Sequence, residues 1–275
     1  MPEPAAVRTP ALLPVGAERA LERLSTARTE ARPCAPVRDL LPEADIDAAY
    51  TVQSAWVAGQ VAAGARIVGH KIGLTNPAVQ AQLGVAQPDF GILLDFMACR
   101  AGEPVDIART LQPKIEAEIA FVLAHDLDAD GIEPADVAAA TAYVVAALEI
   151  VDSRIANWDI RIVDTIADNA SSGLFVLGDR RRELGGLDLR ACTMTLRRDR
   201  EEVSTGSGAA CLGDPFAAVA WLARTTRAYG APLRAGDVVL SGALGSMVPV
   251  RPGDGFHTEI SGIGEVSVSF TRGMR

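Results

Sequence analysis

Apolar positions near the start of the chain recur at the spacing of helices. In residues 17–32, AERALERLSTARTEAR, leucines and alanines alternate with charged residues at helical intervals, which predicts an amphipathic helix. In residues 45–63, Ile46, Ala49 and Trp56 fall on one face of a second predicted helix, and Gly64 follows as its stop signal. Two helices are therefore expected to precede the rest of the fold.

From Arg66 onward the pattern changes to short apolar runs that Gly, Pro and Asp interrupt, including EIAFVL, AYVVAALEIV and GLFVLG. Such runs predict β-strands separated by turns. Helical spacing returns at 134–141 and at 214–229, where Asp214 is the expected N-cap. The last segment, 235–270, alternates apolar and polar residues between turns and predicts a meandering antiparallel sheet. The expected class is α+β, with a large β core and a helical region at 15–65.

Composition and charge narrow the class of protein. Apolar residues make up 49% of the 275, and no stretch approaches the roughly 20 apolar residues of a membrane helix. The net charge of -9 argues against nucleic acid or an anionic membrane as a partner. Residues 1–14 lack the pattern of a secretory signal and predict a flexible tail, so we expect a cytoplasmic protein. The four cysteines show no metal-finger spacing and are expected to be ordinary thiols.

The chain holds 26 basic residues, of which only Lys71 and Lys114 are lysines. At positions where either lysine or arginine would serve, so strong a preference for arginine predicts that arginine is found. A surviving lysine is therefore a candidate for a position that needs a compact or titratable ammonium. Chance survival is the alternative explanation for both.

Two acidic residues lie two apart at the start of the apolar run IEAEIAFVL. In a strand, alternate side chains share a face, so Glu116 and Glu118 would point the same way, about 7 Å apart along the backbone. Like charges at this spacing repel unless a cation lies between them. Open solvent beyond the strand end is the alternative account of the pair.

A third glutamate strengthens the cation hypothesis. Glu149 follows a run of apolar residues from Ala142 that predicts a buried strand, where a lone carboxylate would cost several kcal/mol without a partner. Carboxylate oxygens without thiolate or imidazole ligands suit Mg²⁺ or Mn²⁺. Glu116, Glu118 and Glu149 are therefore the predicted metal ligands.

Four ordered motifs carry a family resemblance. GHKIGLTNPAVQAQLGVAQPDFG (69–91), QPKIEAEIAFVL (112–123), EIVDSRIANWDIRIVDTIADNASSG (149–173) and GDVVLSGALGSMVPVRPGD (236–254) resemble the 2-hydroxypenta-2,4-dienoate (2-keto-4-pentenoate) hydratases of the fumarylacetoacetate hydrolase superfamily. The resemblance begins near residue 15. It implies a mixed β-sandwich or β-roll catalytic domain at 66–275.

The resemblance also implies roles for individual residues. It places the metal on the same three glutamates, the lysine of the GxKxGLT motif on Lys71, and the aspartate of QPDFG on Asp89. We expect both to be catalytic, with Lys71 near the substrate carboxylate; a surface ion pair is the alternative for Lys71. The serines of NASSG fall on Ser171 and Ser172, which are expected to bind substrate. Lys114 is expected to balance charge.

The implied reaction is a two-stage hydration. Protonation of the dienol at carbon 5 gives an unsaturated ketone, and water then adds at carbon 4 to give a 4-hydroxy-2-oxo acid. Both stages pass through an enolate that a divalent ion stabilises. The resemblance further implies a homo-oligomer and an association with a pathway decarboxylase. Meta-cleavage catabolism of aromatic hydrocarbons is the expected pathway, with steroid and biosynthetic pathways as the alternatives.

Three other functions remain to be weighed. A 4-oxalocrotonate decarboxylase shares the metal triad, but HKIGLT, QPDFG and GALGSMV have the hydratase-like form. A fumarylpyruvate-type hydrolase would use a histidine near its N-terminal motif, and no HxxE arrangement stands out. A non-catalytic partner subunit of a decarboxylase would not need Lys71 and Asp89 beside the glutamates.

The remaining motif residues are expected to be structural. His70 would face away from Lys71, because neighbouring strand residues point to opposite faces. His125 and His257 lie beside predicted turns and are expected to face solvent, and Trp158 is expected to pack. The glycine-rich segment 242–247 is expected to shape the rim of the pocket.

Overall fold

The computed structural model describes residues 13–43, 45–75, 80 and 87–273. All of the predicted tail except Leu13 and Pro14 lies outside the described residues, as does most of the stretch between Thr75 and Gln87 in the first motif.

Among the helices whose bounds lie within the described residues, the four predicted ones are confirmed and a further one, α4, is added. In the described residues Asp45 caps the second helix by accepting a hydrogen bond from Ala48 N, and Asp214 caps the last by accepting one from Phe216 N. The first helix buries residues at three- and four-residue spacing, including Ala20 and Leu24. The helices are α1 (Val15–Thr29), α2 (Ile46–Ala62), α3 (Pro134–Ala140), α4 (Ile162–Ala167) and α5 (Pro215–Ala228).

The strands form two sheets. Strand pairing in the larger sheet follows the order β2-β1-β10-β5-β6-β7-β3, with β11 beside β5, and in the smaller one β4-β13-β12-β8-β9. The strands are β1 (Ile67–Gly73), β2 (Asp89–Leu94), β3 (Ala98–Cys99), β4 (Pro104–Val105), β5 (Pro113–Leu123), β6 (Thr141–Asp152), β7 (Ser172–Leu177), β8 (Thr193–Arg198), β9 (Glu201–Ser207), β10 (Val238–Leu240), β11 (Val248–Pro249), β12 (Gly255–Ile260) and β13 (Gly264–Phe270).

The larger sheet curls on itself. β2 and β3 are at opposite ends of its strand order, yet a single 3₁₀ turn at Asp95–Met97 joins them in the chain. Asn169, just before β7, closes the gap by pairing with Ile92 of β2: its Oδ1 accepts from Ile92 N and its Nδ2 donates to Ile92 O. This curling brings β1 and β2 close to the residues that precede β7. The predicted α+β class with a rolled mixed sheet is confirmed.

The prediction for the last segment was partly wrong. β12 and β13 do form an antiparallel hairpin, but β10 belongs to the larger sheet, where it runs parallel to β1 and antiparallel to β5. Alternation within a strand reveals its buried face, but its pairing depends on elements distant in sequence, so a local meander could not be distinguished from this split.

The helix α4 was not predicted. Ile162 and Ile166 have helical spacing, but all six of its residues are buried, so the helix has no polar face to reveal the period. Its Asp164 is buried and accepts hydrogen bonds from the backbone N–H groups of Val37, Arg38 and Arg161. Through these bonds α4 holds the segment that connects α1 to α2.

The core is one connected set of apolar side chains. It joins Leu24 and Trp56 of the N-terminal helices to Ile119 and Leu148 of the central strands. None of the helices in the described part of the chain has the length and apolar character that crossing a bilayer requires.

Candidate active site

The central hairpin of β5 and β6 places the three predicted metal ligands together. Glu116 lies directly opposite Glu149 in the antiparallel register, and Glu118 lies two residues along β5 on the same face. One carboxylate oxygen from each of the three residues lies within 4.8 Å of the other two. The grouping predicted from strand alternation is therefore present in the fold.

Burial makes this grouping electrostatically costly. Glu118 and Glu149 are fully buried, and Glu116 is partly exposed. Desolvation, followed by the charge of Glu149, raises the pKa of Glu116 to about 7. The same two causes raise the pKa of Glu118 well above its ordinary value, and desolvation raises that of Glu149. Without a cation, the site favours protonated carboxyl groups.

Unpartnered oxygens show that these residues fit a divalent ion. Both oxygens of Glu149 and Oε1 of Glu118 are buried and accept no hydrogen bond from the described residues. Buried polar atoms usually have a partner, and hard oxygen ligands without one suit Mg²⁺, Mn²⁺ or Ca²⁺. Glu118 Oε2 is held by the backbone N–H of Gly242 at 2.8 Å, which orients the opposite oxygen inward.

Lys71 of β1 brings a positive charge to this face of the sheet. Its Nζ lies 3.3 Å from Glu149 Oε1, in an ion pair that lacks hydrogen-bond geometry, and donates to Ala170 O at 3.1 Å. Burial alone lowers the pKa of this ammonium, but the charges of Glu149 and Asp89 outweigh it and raise the pKa above its ordinary value. Lys71 is therefore a buried cation, not the surface ion pair that was the alternative.

Asp89 begins β2 directly opposite Gly73 of β1. Its side chain folds back over that glycine: a Cβ built at position 73 would lie 2.1 Å from Asp89 Oδ1 and 3.4 Å from Lys71 Nζ. Burial raises the pKa of Asp89, while Lys71 and a hydrogen bond from Thr165 lower it. The structure thus brings Lys71 and Asp89 together above a position that only glycine can occupy.

Ser171 is connected to Asp89 by Thr165, a residue that the sequence analysis did not identify. The hydroxyl of Thr165, from α4, lies 3.3 Å from Asp89 Oδ2 and 3.2 Å from Ser171 Oγ. Thr165 could have been found only from the helical register of the short segment that contains it.

The turn before β7 has an unusual backbone. Asn169, Ala170 and Ser171 are consecutive non-glycine residues with φ between 51° and 57°. Left-handed conformations cost such residues free energy, and they persist where the surroundings fix them. This turn directs the Ala170 carbonyl toward Lys71 and the Ser171 hydroxyl toward Thr165.

Ser172 occupies a related but separate position. Its Oγ is buried without a hydrogen-bond partner among the described residues, and it lies close to Gly91, on the face of β2 that carries Asp89. No hydrogen bond joins it to the other predicted site residues in that part of the chain. Its role in substrate binding stays a prediction.

Buried arginine contacts hold the turn from behind. Arg154 donates through Nε to Asp168 Oδ1 at 2.6 Å, through Nη2 to Asp168 O and through Nη1 to Ser172 O. Arg28 of α1 donates to the same Asp168 oxygen at 2.9 Å. The N-terminal helix is therefore connected to the residues that flank the turn.

A cavity of about 320 Å³ opens beside Glu116. The segment 243–247 forms one wall, as predicted for the rim, and 72–75 forms another. Thr205 and Ala210 complete the lining, and Glu116 is the single ionisable residue among the described lining residues. Apart from Glu116, the described lining residues of this cavity are therefore uncharged.

The other motif residues have mainly structural contacts. His70 faces away from the site, where burial lowers its pKa to about 4, and His125 is exposed. Trp158 packs as expected: Nε1 donates to Gln112 O and the Lys114 ammonium lies 4.1 Å above the ring centre. Lys114 also lowers the pKa of Glu116, consistent with the predicted charge balance. His257 is only partly exposed and contacts Ser267.

The curled sheet and the cluster of three glutamates define a class of protein, and comparison of the sequence with known families identifies the same class. The fumarylacetoacetate (FAA) hydrolase C-terminal family matches residues 68–271. The chain belongs to this family.

Within the family, the chain is most informatively compared with two curated relatives. It is 54% identical over 249 residues to a 2-keto-4-pentenoate hydratase of Burkholderia vietnamiensis, which covers 90% of this chain and 95% of the relative. It is 44% identical over 252 residues to a 2-hydroxyhexa-2,4-dienoate hydratase of Comamonas testosteroni, covering 91% and 96%. The hydratase resemblance read from the four motifs is therefore confirmed.

A solved structure shares the whole fold. It is the 4-oxalocrotonate decarboxylase from Pseudomonas putida G7 complexed with magnesium and adipate, which superposes with a TM-score of 0.88 at 36% identity and covers 92% of this chain and 97% of that one. The fold alone therefore does not separate the two activities.

Proposed function

We propose that the chain is a hydro-lyase that adds water to a 2-hydroxy-2,4-dienoate and releases a 4-hydroxy-2-oxo acid. One observation carries the proposal: three carboxylates converge beside Lys71 and Asp89. Glu118 and Glu149 are buried with unpartnered oxygens, and Glu116 opens onto a cavity whose other described lining residues are uncharged. The relatives named as hydratases of such dienoates support the same reaction.

Glu116, Glu118 and Glu149 are the residues we assign to a divalent ion, Mg²⁺ or Mn²⁺. The related decarboxylase was solved with magnesium, which supports the assignment. When bound, the ion supplies positive charge that stabilises an enolate oxygen. The protein's contribution is to hold Glu118 through Gly242 N and to place Lys71 against Glu149.

The buried ammonium and the aspartate have separate proposed tasks. Lys71 lies fixed by Ala170 O and Glu149, and its charge would hold the substrate carboxylate at the inner end of the site. Asp89, whose pKa burial raises, would deliver a proton to carbon 5 as the enol proton is lost. The resulting carboxylate would then take a proton from the water whose oxygen bonds to carbon 4. Carbon 3 would take up from solvent the equivalent of the proton that the enol oxygen released to solvent in the first stage.

The cavity wall favours the hydratase over the decarboxylase. 4-Oxalocrotonate carries a second carboxylate at the far end, which would need a cationic or strongly hydrogen-bonding partner there. The described lining residues of the cavity include no cation. They offer apolar side chains such as Leu244 and Met247, the neutral hydroxyl groups of Thr75, Thr205 and Ser246, and the negative Glu116. A short uncharged diene tail fits these walls.

A substrate panel tests the proposal. The purified chain with Mg²⁺ is supplied with 2-hydroxypenta-2,4-dienoate, 2-hydroxyhexa-2,4-dienoate and 4-oxalocrotonate, and both the loss of dienol absorbance and CO₂ release are followed. We expect hydration of the first two. Rapid CO₂ release from the third without hydration would identify a decarboxylase, and turnover of none would indicate a non-catalytic subunit.

We also propose, from the family resemblance, a homo-oligomer that associates with a pathway decarboxylase. Light scattering after size exclusion, with and without a purified decarboxylase of the same pathway, tests both statements. A monomer that elutes unchanged in the mixture would contradict them.

A further inference from the structure

Thr165 connects two residues of the proposed site. Its Oγ1 lies 3.3 Å from Asp89 Oδ2 and 3.2 Å from Ser171 Oγ, and all three side chains are buried. Asp89 comes from β2, Thr165 from α4 and Ser171 from the left-handed turn. Three distant segments of the chain thus meet at one hydroxyl group.

Other helical threonines in the described chain use their hydroxyl groups differently. Each of four donates to the carbonyl four residues earlier in its own helix; they are Thr29, Thr51, Thr225 and Thr226. Thr165 makes no such bond and is directed across the fold to β2. Its hydroxyl therefore serves a contact between elements rather than its own helix.

Hydrogen counting fixes the direction of these bonds. An ionised carboxylate can only accept, and a hydroxyl has one proton. When Asp89 is ionised, Thr165 must donate to Oδ2, and Ser171 must then donate to Thr165. The hydrogen bond from Thr165 therefore fixes Asp89 Oδ2, and the proton of the Ser171 hydroxyl must point toward Thr165 Oγ1.

The other oxygen of Asp89 is left free. Oδ1 is buried and has no hydrogen-bond partner among the described residues. It lies over the bare Cα of Gly73, which lines the cavity, on the side where Lys71 Nζ approaches. The two oxygens of one carboxylate are therefore unequal.

We propose that Thr165 is a positioning residue: its hydroxyl anchors Asp89 Oδ2, so that Oδ1 is the oxygen that exchanges a proton with the substrate. The inference rests on the proposed function, in which Asp89 moves the protons of the hydration. Thr165 itself does not touch the reacting atoms.

The anchor also affects the protonation of Asp89. Among the described residues the charged and titratable groups that act on Asp89 are Lys71 of β1, Tyr50 of α2, Glu116 of β5 and Glu149 of β6. A hydrogen bond donated to the carboxylate favours its ionised form. Removing the Thr165 hydroxyl while these charges and the bound ion stay in place should therefore raise the pKa of Asp89.

The test compares Thr165→Val, which keeps the shape but loses the hydroxyl, with Thr165→Ser, which keeps the hydroxyl. Asp89 must hold its proton to start the proposed reaction, so its ionisation sets the alkaline limb of the kcat/KM profile. With saturating Mg²⁺, we expect this alkaline limb to move up by about one to two pH units in Thr165→Val and to return in Thr165→Ser. Thr226→Val, which loses a buried hydroxyl remote from the site, should leave the profile unchanged.

A second readout does not depend on turnover. In protein labelled with ¹³C at aspartate carboxyl carbons, the resonance assigned by its loss in Asp89→Asn should titrate at higher pH in Thr165→Val than in the parent. An unchanged titration, or an equal change in Thr165→Ser, would overturn the inference. If Thr165→Val showed the titration shift but the parent hydrated no dienoate, the proposed function would be contradicted and the positioning of Asp89 by Thr165 would stand.

Discussion

Glu116 of β5 and Glu149 of β6 are direct cross-strand partners in the interior of the curled sheet. Glu259 and Glu265 form the same kind of pair between β12 and β13, where both are exposed. Like charges opposite each other are destabilising, but water relieves the exposed pair. In the other pair Glu149 is buried and Glu116 only partly exposed, so water gives less relief and a cation is expected there.

The first prediction follows from this contrast. Glu149→Gln should weaken Mn²⁺ binding by about 10- to 100-fold, because it removes a charged ligand, and should reduce dienoate turnover in parallel. Isothermal titration with Mn²⁺ measures the affinity. Glu259→Gln is the matched control and should change neither quantity; equal binding in both variants would contradict the metal assignment.

The second prediction concerns stability and pH in the presence of EDTA. The folded-state pKa of Glu116, about 7, lies above its unfolded value near 4.5, so the folded state binds more protons and loses stability as pH rises between these values. Glu116→Gln removes this loss. The variant should therefore gain on the order of 3 kcal/mol relative to the parent between pH 4.5 and 8.

Urea unfolding at several pH values measures this difference. His70 has a lowered pKa and acts in the opposite direction, but it is present in both proteins and cancels in the comparison. Glu259→Gln should show no comparable pH-dependent gain. If the free energies of unfolding of Glu116→Gln and the parent differed by a constant amount across this pH range, the burial of the Glu116 charge would be contradicted.

The third prediction uses the close approach at Gly73. A Cβ at this position would lie 2.1 Å from Asp89 Oδ1, so Gly73→Ala should displace the carboxylate and lower kcat by at least about 100-fold. Gly59, within α2, has open space where a Cβ would lie, and Gly59→Ala should stabilise the protein by about 0.5–1 kcal/mol without loss of turnover. Initial rates and thermal unfolding of both variants decide the matter; an active Gly73→Ala would refute the placement of Asp89.

The fourth prediction concerns the support behind the left-handed turn. Arg154→Met leaves Asp168 buried with Arg28 as its one remaining charged partner among the described residues, which should cost about 3–5 kcal/mol and lower turnover. Arg234→Met breaks an exposed pair with Asp126 and should cost less than about 1 kcal/mol. Urea unfolding measures the free energy of unfolding of both variants. A loss in Arg154→Met as small as that in Arg234→Met would show that the buried network contributes little to stability.

Much of the site could be predicted from the sequence, because the relevant residues lie in long regular strands. Alternation in β5 placed Glu116 and Glu118 on one face, and an apolar run marked Glu149 as buried. By contrast, the pairing of β10 and the existence of α4 were not predicted. A fully buried six-residue helix has no amphipathic period, and a short strand does not specify its neighbour.

Strand and motif positions are enough to establish the chemical type of the site: three carboxylates, a lysine and an aspartate. How these residues act on one another depends on the fold, because the curl of the larger sheet brings β1, β2 and the turn before β7 together. That closure buries Lys71 against Glu149 and directs Thr165 to Asp89. Contacts between segments that are 76 residues apart in the chain depend on how the sheet closes, which no local pattern encodes.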